Sequence, residues 1–217
     1  MIVSSNGYFD REELSNSQLS TYKSLLEGHV GIKYSKDALL LGSVVDAMLT
    51  ASEMPNDIPI EVMELAEAMA ASFMANKANK NIVDTWSSQV AFVSDIEYHY
   101  GCETGIVTGR CLTDFYNERF KIIADVKTTS ASTDKEWDKA VEEFAYYRQA
   151  AWYMNITKSD TFVLLAVSKH KPHNLFKTVI KRGDELYNNG FKEYSAICHY
   201  LNKAYNGDEQ YINILFK

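Results

Sequence analysis

The segment GRCLTDFYNERFKIIADVKTT, residues 109–129, constrains this chain more than any other. Two apolar-rich stretches, Ile106 to Phe115 and Phe120 to Val126, flank Tyr116-Asn117-Glu118-Arg119, and that pattern predicts a β-hairpin closed near the polar tetrad. Side chains alternate across a strand, so Asp125 and Lys127 share one face while Val126 points to the other. If Asp114 stands opposite Asp125, the loop is Glu118 to Lys121, a common hairpin length, and Asp114 joins that face. Two carboxylates so placed repel each other, and burying them is costly unless a proton or cation compensates. A divalent cation is the natural compensation: hard oxygen ligands suit Mg²⁺ or Mn²⁺, and the Lys127 ammonium beside it would orient or deprotonate an attacking water. An isolated D-x-K is also compatible with a solvated strand end, so the reading depends on the rest of the chain.

A chain of 217 residues can fill one sizeable core, and no Pro-, Gly- or Ser-rich linker divides it, so a single domain over 1–217 is expected. Hydrophobic content of 46% and charged content of 24% are those of an ordinary globular protein. The amino terminus lacks the basic start and apolar core of a signal peptide and no apolar run spans a bilayer; a cytoplasmic location with no membrane contact is the expectation. Cys102, Cys111 and Cys198 are scattered and odd in number, which reads as free thiols and argues against zinc or iron-sulfur sites. A formal net charge of −7 does not advertise nucleic-acid binding, which would need a local basic channel or metal ions.

Along the chain, Leu14 to Ser17 offers N-caps for a helix ending by Gly28, and Lys36 to Ala51 reads as a second helix. Asp46 interrupts the apolar surround of that second helix; taken alone it reads as solvent-facing. Ile60 to Asn76 has strong helix composition, and Trp86 to Tyr100 switches to strand character and carries Glu97. With the hairpin this makes a three-stranded antiparallel meander. Thr133 to Glu136 forms a capping box for one long helix to about Asn155, on which Gln149 and Tyr153 lie on one stripe. Thr161 to Ser168 reads as a strand covered on both faces, Leu175 to Ile180 as another strand, and Gly183 to Ala204 as a tyrosine-rich helix before the apolar YINILFK end. The expected fold is α/β: a helical part (1–85), a core (86–181) with a central mixed sheet of meander plus crossover strand flanked by helices, and a C-terminal helix and tail (182–217).

Asp114, then Asp125-Val126-Lys127 within IIADVKTT, then Gln149-Ala150-Ala151-Trp152-Tyr153, resemble the PD-(D/E)XK nuclease signature with its Q-x-x-x-Y helix. Together with Leu14 to Leu19, Gly42 to Leu49 and Arg148, they resemble in particular the exodeoxyribonuclease VIII type of phage and prophage recombination exonuclease, over roughly Leu14 to Tyr153. The resemblance implies a restriction-endonuclease-like core and an Mg²⁺- or Mn²⁺-dependent DNA exonuclease with one or two ions. Asp114, Asp125 and the Val126 carbonyl would hold metal, Lys127 would assist the water, Gln149 and Tyr153 would line the site, and Glu97 would supply an acidic group from the first strand. Relatives carry His where this chain has Asp46, which as a ligand favours a harder cation. The resemblance further implies resection of linear duplex ends 5′ to 3′, a ring-like trimer or tetramer, a single-strand annealing recombinase as partner, and a bacterial or phage-infected cell. Arg110, Lys121, Arg148 and Lys169 are the candidate phosphate contacts, and Tyr187, Tyr194, Tyr200, Tyr205 and Tyr211 are either subunit contacts or packing.

Alternatives remain open at this level. A catalytically silent nuclease-fold module that binds DNA or protein, and a structure-specific endonuclease of the same superfamily, fit the same residues. Intact Asp114, Asp125, Lys127 and Gln149 argue against the silent module, because unused buried charge is a burden.

Overall fold

The computed structural model describes residues 1–28 and 35–215. Among these, six strands form one mixed sheet in chain order: β1 (Ile2–Val3), β2 (Ser87–Tyr100), β3 (Glu103–Asn117), β4 (Ile122–Thr129), β5 (Thr161–Ser168) and β6 (Leu175–Lys181). The helices are α1 (Asn16–Leu26), α2 (Lys36–Thr50), α3 (Ile60–Ala75), α4 (Lys77–Thr85), α5 (Asp134–Glu143), α6 (Tyr146–Thr157), α7 (Glu185–Tyr205) and α8 (Glu209–Leu215). This is the expected mixed α/β sheet flanked by helices. β2, β3 and β4 make the antiparallel meander, the chain crosses through α5 and α6, and β5 pairs parallel to β4. The last two residues of the apolar tail, Phe216 and Lys217, lie outside the described residues.

The period-two pattern sorts the strands onto two cores. On β5, Phe162, Leu164 and Ala166 face the helices α1, α6 and α7, whereas Leu165 and Val167 face α2 and α3. On β4, Ile123 belongs to the first core and Ala124 and Val126 to the second. Both faces are therefore apolar, and the site-bearing strand is held between two helical layers.

The close fit of α6 on β3 depends on Gly109. A Cβ there would sit 2.6 Å from the Trp152 ring and 3.1 Å from Ile156 Cδ1, and Trp152 is fully buried with its indole donating to Arg110 O at 3.2 Å. Neither ring nor strand can yield cheaply in a packed interior. Gly109→Ala is expected to lower stability by about 1–3 kcal/mol, read as a lower urea midpoint at unchanged slope.

The expected single long helix after Thr133 is instead two. Thr133 does cap α5, accepting from Glu136 N at 3.3 Å, but Ala145 turns left-handed (φ 50) and α6 starts afresh from it. Neither glycine nor proline marks the break. The left-handed alanine costs about 1–2 kcal/mol, offset by the burial of Trp137 under one helix and of Trp152 and Met154 under the other. Three further elements had no clear sequence signal: β1, only two residues long; α4; and α8, which seats Leu215 in the core. Of the C-terminal tyrosines, Tyr187 and Tyr194 are buried, Tyr200 stacks on Tyr211 and shares a 2.6 Å hydroxyl contact with Tyr100, and Tyr205 is exposed.

Candidate active site

The hairpin forms in the register that sets Asp114 across from Asp125, with Phe115↔Ala124, Tyr116↔Ile123 and Asn117↔Ile122 paired and Glu118 to Lys121 as the loop. Beyond Phe115 the two strands part. The β2–β3 ladder also omits a step there, running from Ser88↔Phe115 to Val90↔Thr113 past Gln89, whose backbone is left-handed (φ 51). Asp114 thus falls at a gap on both sides, and its Oδ2 takes up the slack by accepting from Val126 N at 2.7 Å. A backbone donor on a carboxylate is a strong bond and fixes Asp114 at the split.

Asp125 lies in the same split, only 2% exposed. Gln149 Nε2 on α6 donates to its Oδ1 at 2.7 Å, and Lys127 Nζ lies 2.6 Å from its Oδ2. Lys127 Nζ also stands 5.4 Å from the centre of the Tyr146 ring. From the other side of the sheet α2 delivers Asp46. On the same helix Gly42 lies against Thr128 of β4, where a Cβ would meet the Oγ1 at an ordinary 3.5 Å. Asp46 Oδ2 accepts a long bond from Gln89 Nε2 (3.4 Å), while its buried Oδ1 has no hydrogen-bond partner among the described residues.

Burial, then the charge of Asp125, pushes the Asp46 carboxyl up to about 6. Burial, followed by the charges of Asp125 and Asp46, drives Asp114 well above the ordinary carboxylate range. Burial works against the Lys127 ammonium, but the charges of Asp125 and Asp114 outweigh it and hold its pKa above the usual lysine value. Tyr153, partly buried, has its phenol pKa raised by desolvation and then by the charge of Asp125, and keeps its proton.

Three carboxyl groups crowd around one ammonium, repulsion keeps protons on the raised ones, and the donors they offer are hard oxygens. The chemistry of this donor set suits Mg²⁺ or Mn²⁺: among the described residues the buried Asp46 Oδ1 has no hydrogen-bond partner and Asp125 Oδ2 has only the Lys127 ion pair. Among the described residues no three acidic, His or Cys side chains are drawn together around one ion position. Mutual repulsion and the bonds to Gln149, Lys127 and Val126 N account for that spacing.

A folded carboxyl whose pKa is raised favours folding while protonated, and that contribution is lost as pH rises through the folded value. In EDTA the stability is expected to fall between pH 5 and 7.5, by about 1–2 kcal/mol from Asp46 with Asp114 adding to it, read as a lower melting temperature. Saturating Mg²⁺ is expected to flatten that dependence, since binding favours the ionised carboxylates.

The remaining sequence candidates divide. Glu97 does not join the cluster: it is exposed, 3.6 Å from His99, and pairs across to Ile106, eight positions before Asp114 on β3 and about 26 Å of strand away. The first-strand residue that does reach the site is Gln89, which sequence reasoning missed; the β2–β3 register places it there, and no residue type at position 89 announces it. Arg110 is buried, its guanidinium over the Tyr8 ring at 4.9 Å and donating to Tyr8 O, so it ties down the amino-terminal segment instead of meeting phosphate. Arg148 is buried too and joins α1 to α7. Lys121 in the hairpin loop and Lys169 after β5 are exposed, and Lys169 N bonds Thr129 O (2.8 Å) at the carboxyl end of β4.

Comparison with solved structures supports this architecture. A candidate exonuclease from Eubacterium rectale superposes with a TM-score of 0.68 at 19% identity, covering 96% of this chain and 88% of that one. A phage-related exonuclease from Haemophilus somnus 129PT (TM-score 0.43, 13% identity, 87% and 94% covered) and an alkaline exonuclease from Laribacter hongkongensis (0.39, 13%, 92% and 93%) are more distant. No curated protein matches the sequence. Residues 20–213 match the family described as PDDEXK-like domain of unknown function (DUF3799). With the mixed sheet, the split hairpin and Asp114, Asp125 and Lys127 on it, the chain belongs to that PDDEXK-like family.

Proposed function

We propose that this protein is a divalent-metal-dependent nuclease that hydrolyses DNA phosphodiester bonds, working as an exonuclease on linear duplex ends. The observation that carries the reading is the convergence of Asp114, Asp125, Lys127 and Gln149 where β3 and β4 part, with Asp46 approaching from α2. Asp46, Asp114 and Asp125, with the Val126 carbonyl, would hold the cation. When bound, it supplies Lewis-acid polarisation of a phosphoryl oxygen and offsets charge that develops in the transition state.

The chain's own groups do the rest. Gln149 fixes the Asp125 carboxylate by its Oδ1, so that oxygen cannot swing toward Lys127. Lys127, held beside Asp125, is placed to orient an attacking water or a non-bridging phosphate oxygen or to take the water's proton. Tyr153 keeps its proton and serves as a donor. Lys121 and Lys169, both on the surface, are the phosphate contacts of this reading. No helix among the described residues is long and apolar enough to cross a membrane. Digestion 5′ to 3′, a trimeric or tetrameric ring, supply of a single-strand annealing recombinase, and a cytoplasmic setting in a bacterial or phage-infected cell belong to the same proposal.

Incubation with end-labelled linear duplex, closed circular duplex and single strands, in Mg²⁺ or EDTA, tests it. Loss of linear duplex alone, dependent on Mg²⁺, is the expected result, and comparing 5′ with 3′ labels reads the polarity. Cutting of circles would make it an endonuclease. Retention of DNA without cleavage in Mg²⁺ or Mn²⁺ would overturn the enzymatic reading.

A further inference from the structure

We infer that Gln89 is a positioning residue of the cation site: its amide holds Asp46 by Oδ2 so that the bare Oδ1 is presented to a cation shared with Asp114 and Asp125. The inference rests on the metal-dependent reading above and goes beyond it, because an amide on the first strand is not part of the acidic and lysine signature.

Three observations converge on this residue. Gln89, the third residue of β2, has φ 51, a left-handed conformation that costs a non-glycine residue about 1 kcal/mol or more and persists only where its surroundings enforce it. It occupies the one step omitted between Ser88↔Phe115 and Val90↔Thr113, which places it across from Asp114. From there its Nε2 reaches a different element, α2, and donates to Asp46. Thr50 Oγ1 bonds the backbone oxygen of Asp46 at 2.8 Å, so the Gln89 contact is the side-chain hydrogen bond that orients the carboxylate itself. An amide suits the place chemically. It offers a donor without adding charge, whereas a carboxylate at position 89 would be a fourth anion against the single ammonium of Lys127. Partners that orient a ligand in this way change metal affinity by about 10–100-fold when removed.

Mn²⁺ titration calorimetry of the purified chain, alongside its melting temperature in EDTA, tests the assignment. Gln89→Gly accepts φ 51 without strain, so the metal-free protein is expected to melt no lower than the parent, yet to bind Mn²⁺ about 10–100-fold more weakly. Gln89→Asn tolerates the same backbone but is one methylene short of Asp46, and the same loss is expected. Because Gln89 acts through Asp46, the double variant Gln89→Gly/Asp46→Ala is expected to bind no more weakly than Asp46→Ala alone. Parental affinity in Gln89→Gly, or additive losses in the double variant, would overturn the inference and leave the nuclease reading standing. Failure of the parent protein to bind Mn²⁺ would overturn both.

Discussion

Asp125→Ala is expected to reduce Mg²⁺-dependent DNA cleavage by at least about a thousandfold while leaving the metal-free fold within about 1 kcal/mol of the parent. The activity arm follows from position: Asp125 touches Gln149 and Lys127 and lies across the split from Asp114, so its loss would remove a proposed cation ligand together with the ion-pair partner of Lys127. The stability arm is a contest between two effects. Removing one partner of a buried pair ordinarily destabilises, because the other charge is stranded. Here the stranded group is Lys127, whose side chain keeps 23% exposure and which still faces the charge of Asp114. Against that loss, the variant takes one carboxylate from a locus holding three, and it removes the charge that helps raise both Asp46 and Asp114. Thermal melts in EDTA at pH 7.5 decide between them. A fall of 10 °C or more, roughly 3 kcal/mol for a domain of this size, would identify Asp125 as part of a structural ion pair and remove it from the proposed site.

What could be read in advance, and what could not, has a physical pattern. The period of two fixed which side chains share a face of β4, and one assumed pairing then gave the loop and the opposition of Asp114 to Asp125. β5 was legible because a strand buried on both sides has to be continuously apolar. The first strand was harder. Glu97 is the acidic residue that β2 offers, but the β2–β3 ladder reaches from Ser87 to Tyr100, and only its register tells which end meets Asp114. Gln89, neutral and flanked by serine and valine, carries no sequence signal of its own. The break at Ala145 was invisible for a similar reason: the alanine is forced left-handed by the packing of α5 and α6, which local propensity does not record. Asp46 taken alone reads as solvent-facing, and it is the packing of α2 against β4 that brings it within reach of the charges of Asp125 and Lys127.

Arg148 shows the same limit in its sharpest form, since a lone arginine beside Gln149 resembles a phosphate contact in sequence. In the fold it is 2% exposed, with Nε donating to Asn16 Oδ1 at 3.1 Å, Nη1 to Glu193 Oε1 at 2.8 Å, and Nη2 to Ser20 Oγ. One guanidinium therefore ties α6 to α1 and α7 through three directed bonds, a geometry that the single ammonium of a lysine cannot reproduce. Glu193 also accepts from Tyr147 OH at 2.6 Å and pairs with Lys23 at 3.1 Å. Although burial opposes its ionisation, the Tyr147 hydrogen bond and the charges of Arg148 and Lys23 keep its pKa below the usual carboxylate value. Arg148→Ala leaves that carboxylate half-buried with fewer partners and opens space beside Asn16 and Ser20. The expected cost is about 3–5 kcal/mol, or a fall in melting temperature of roughly 10 °C or more. Arg148→Lys is expected to recover only part of it. The measurement that separates this role from a phosphate contact is the salt dependence of DNA binding under conditions where the variant is folded. Loss of a phosphate contact would flatten the slope of log affinity against log salt by about one unit, whereas a tie between helices leaves the slope unchanged, and the second outcome is the one expected.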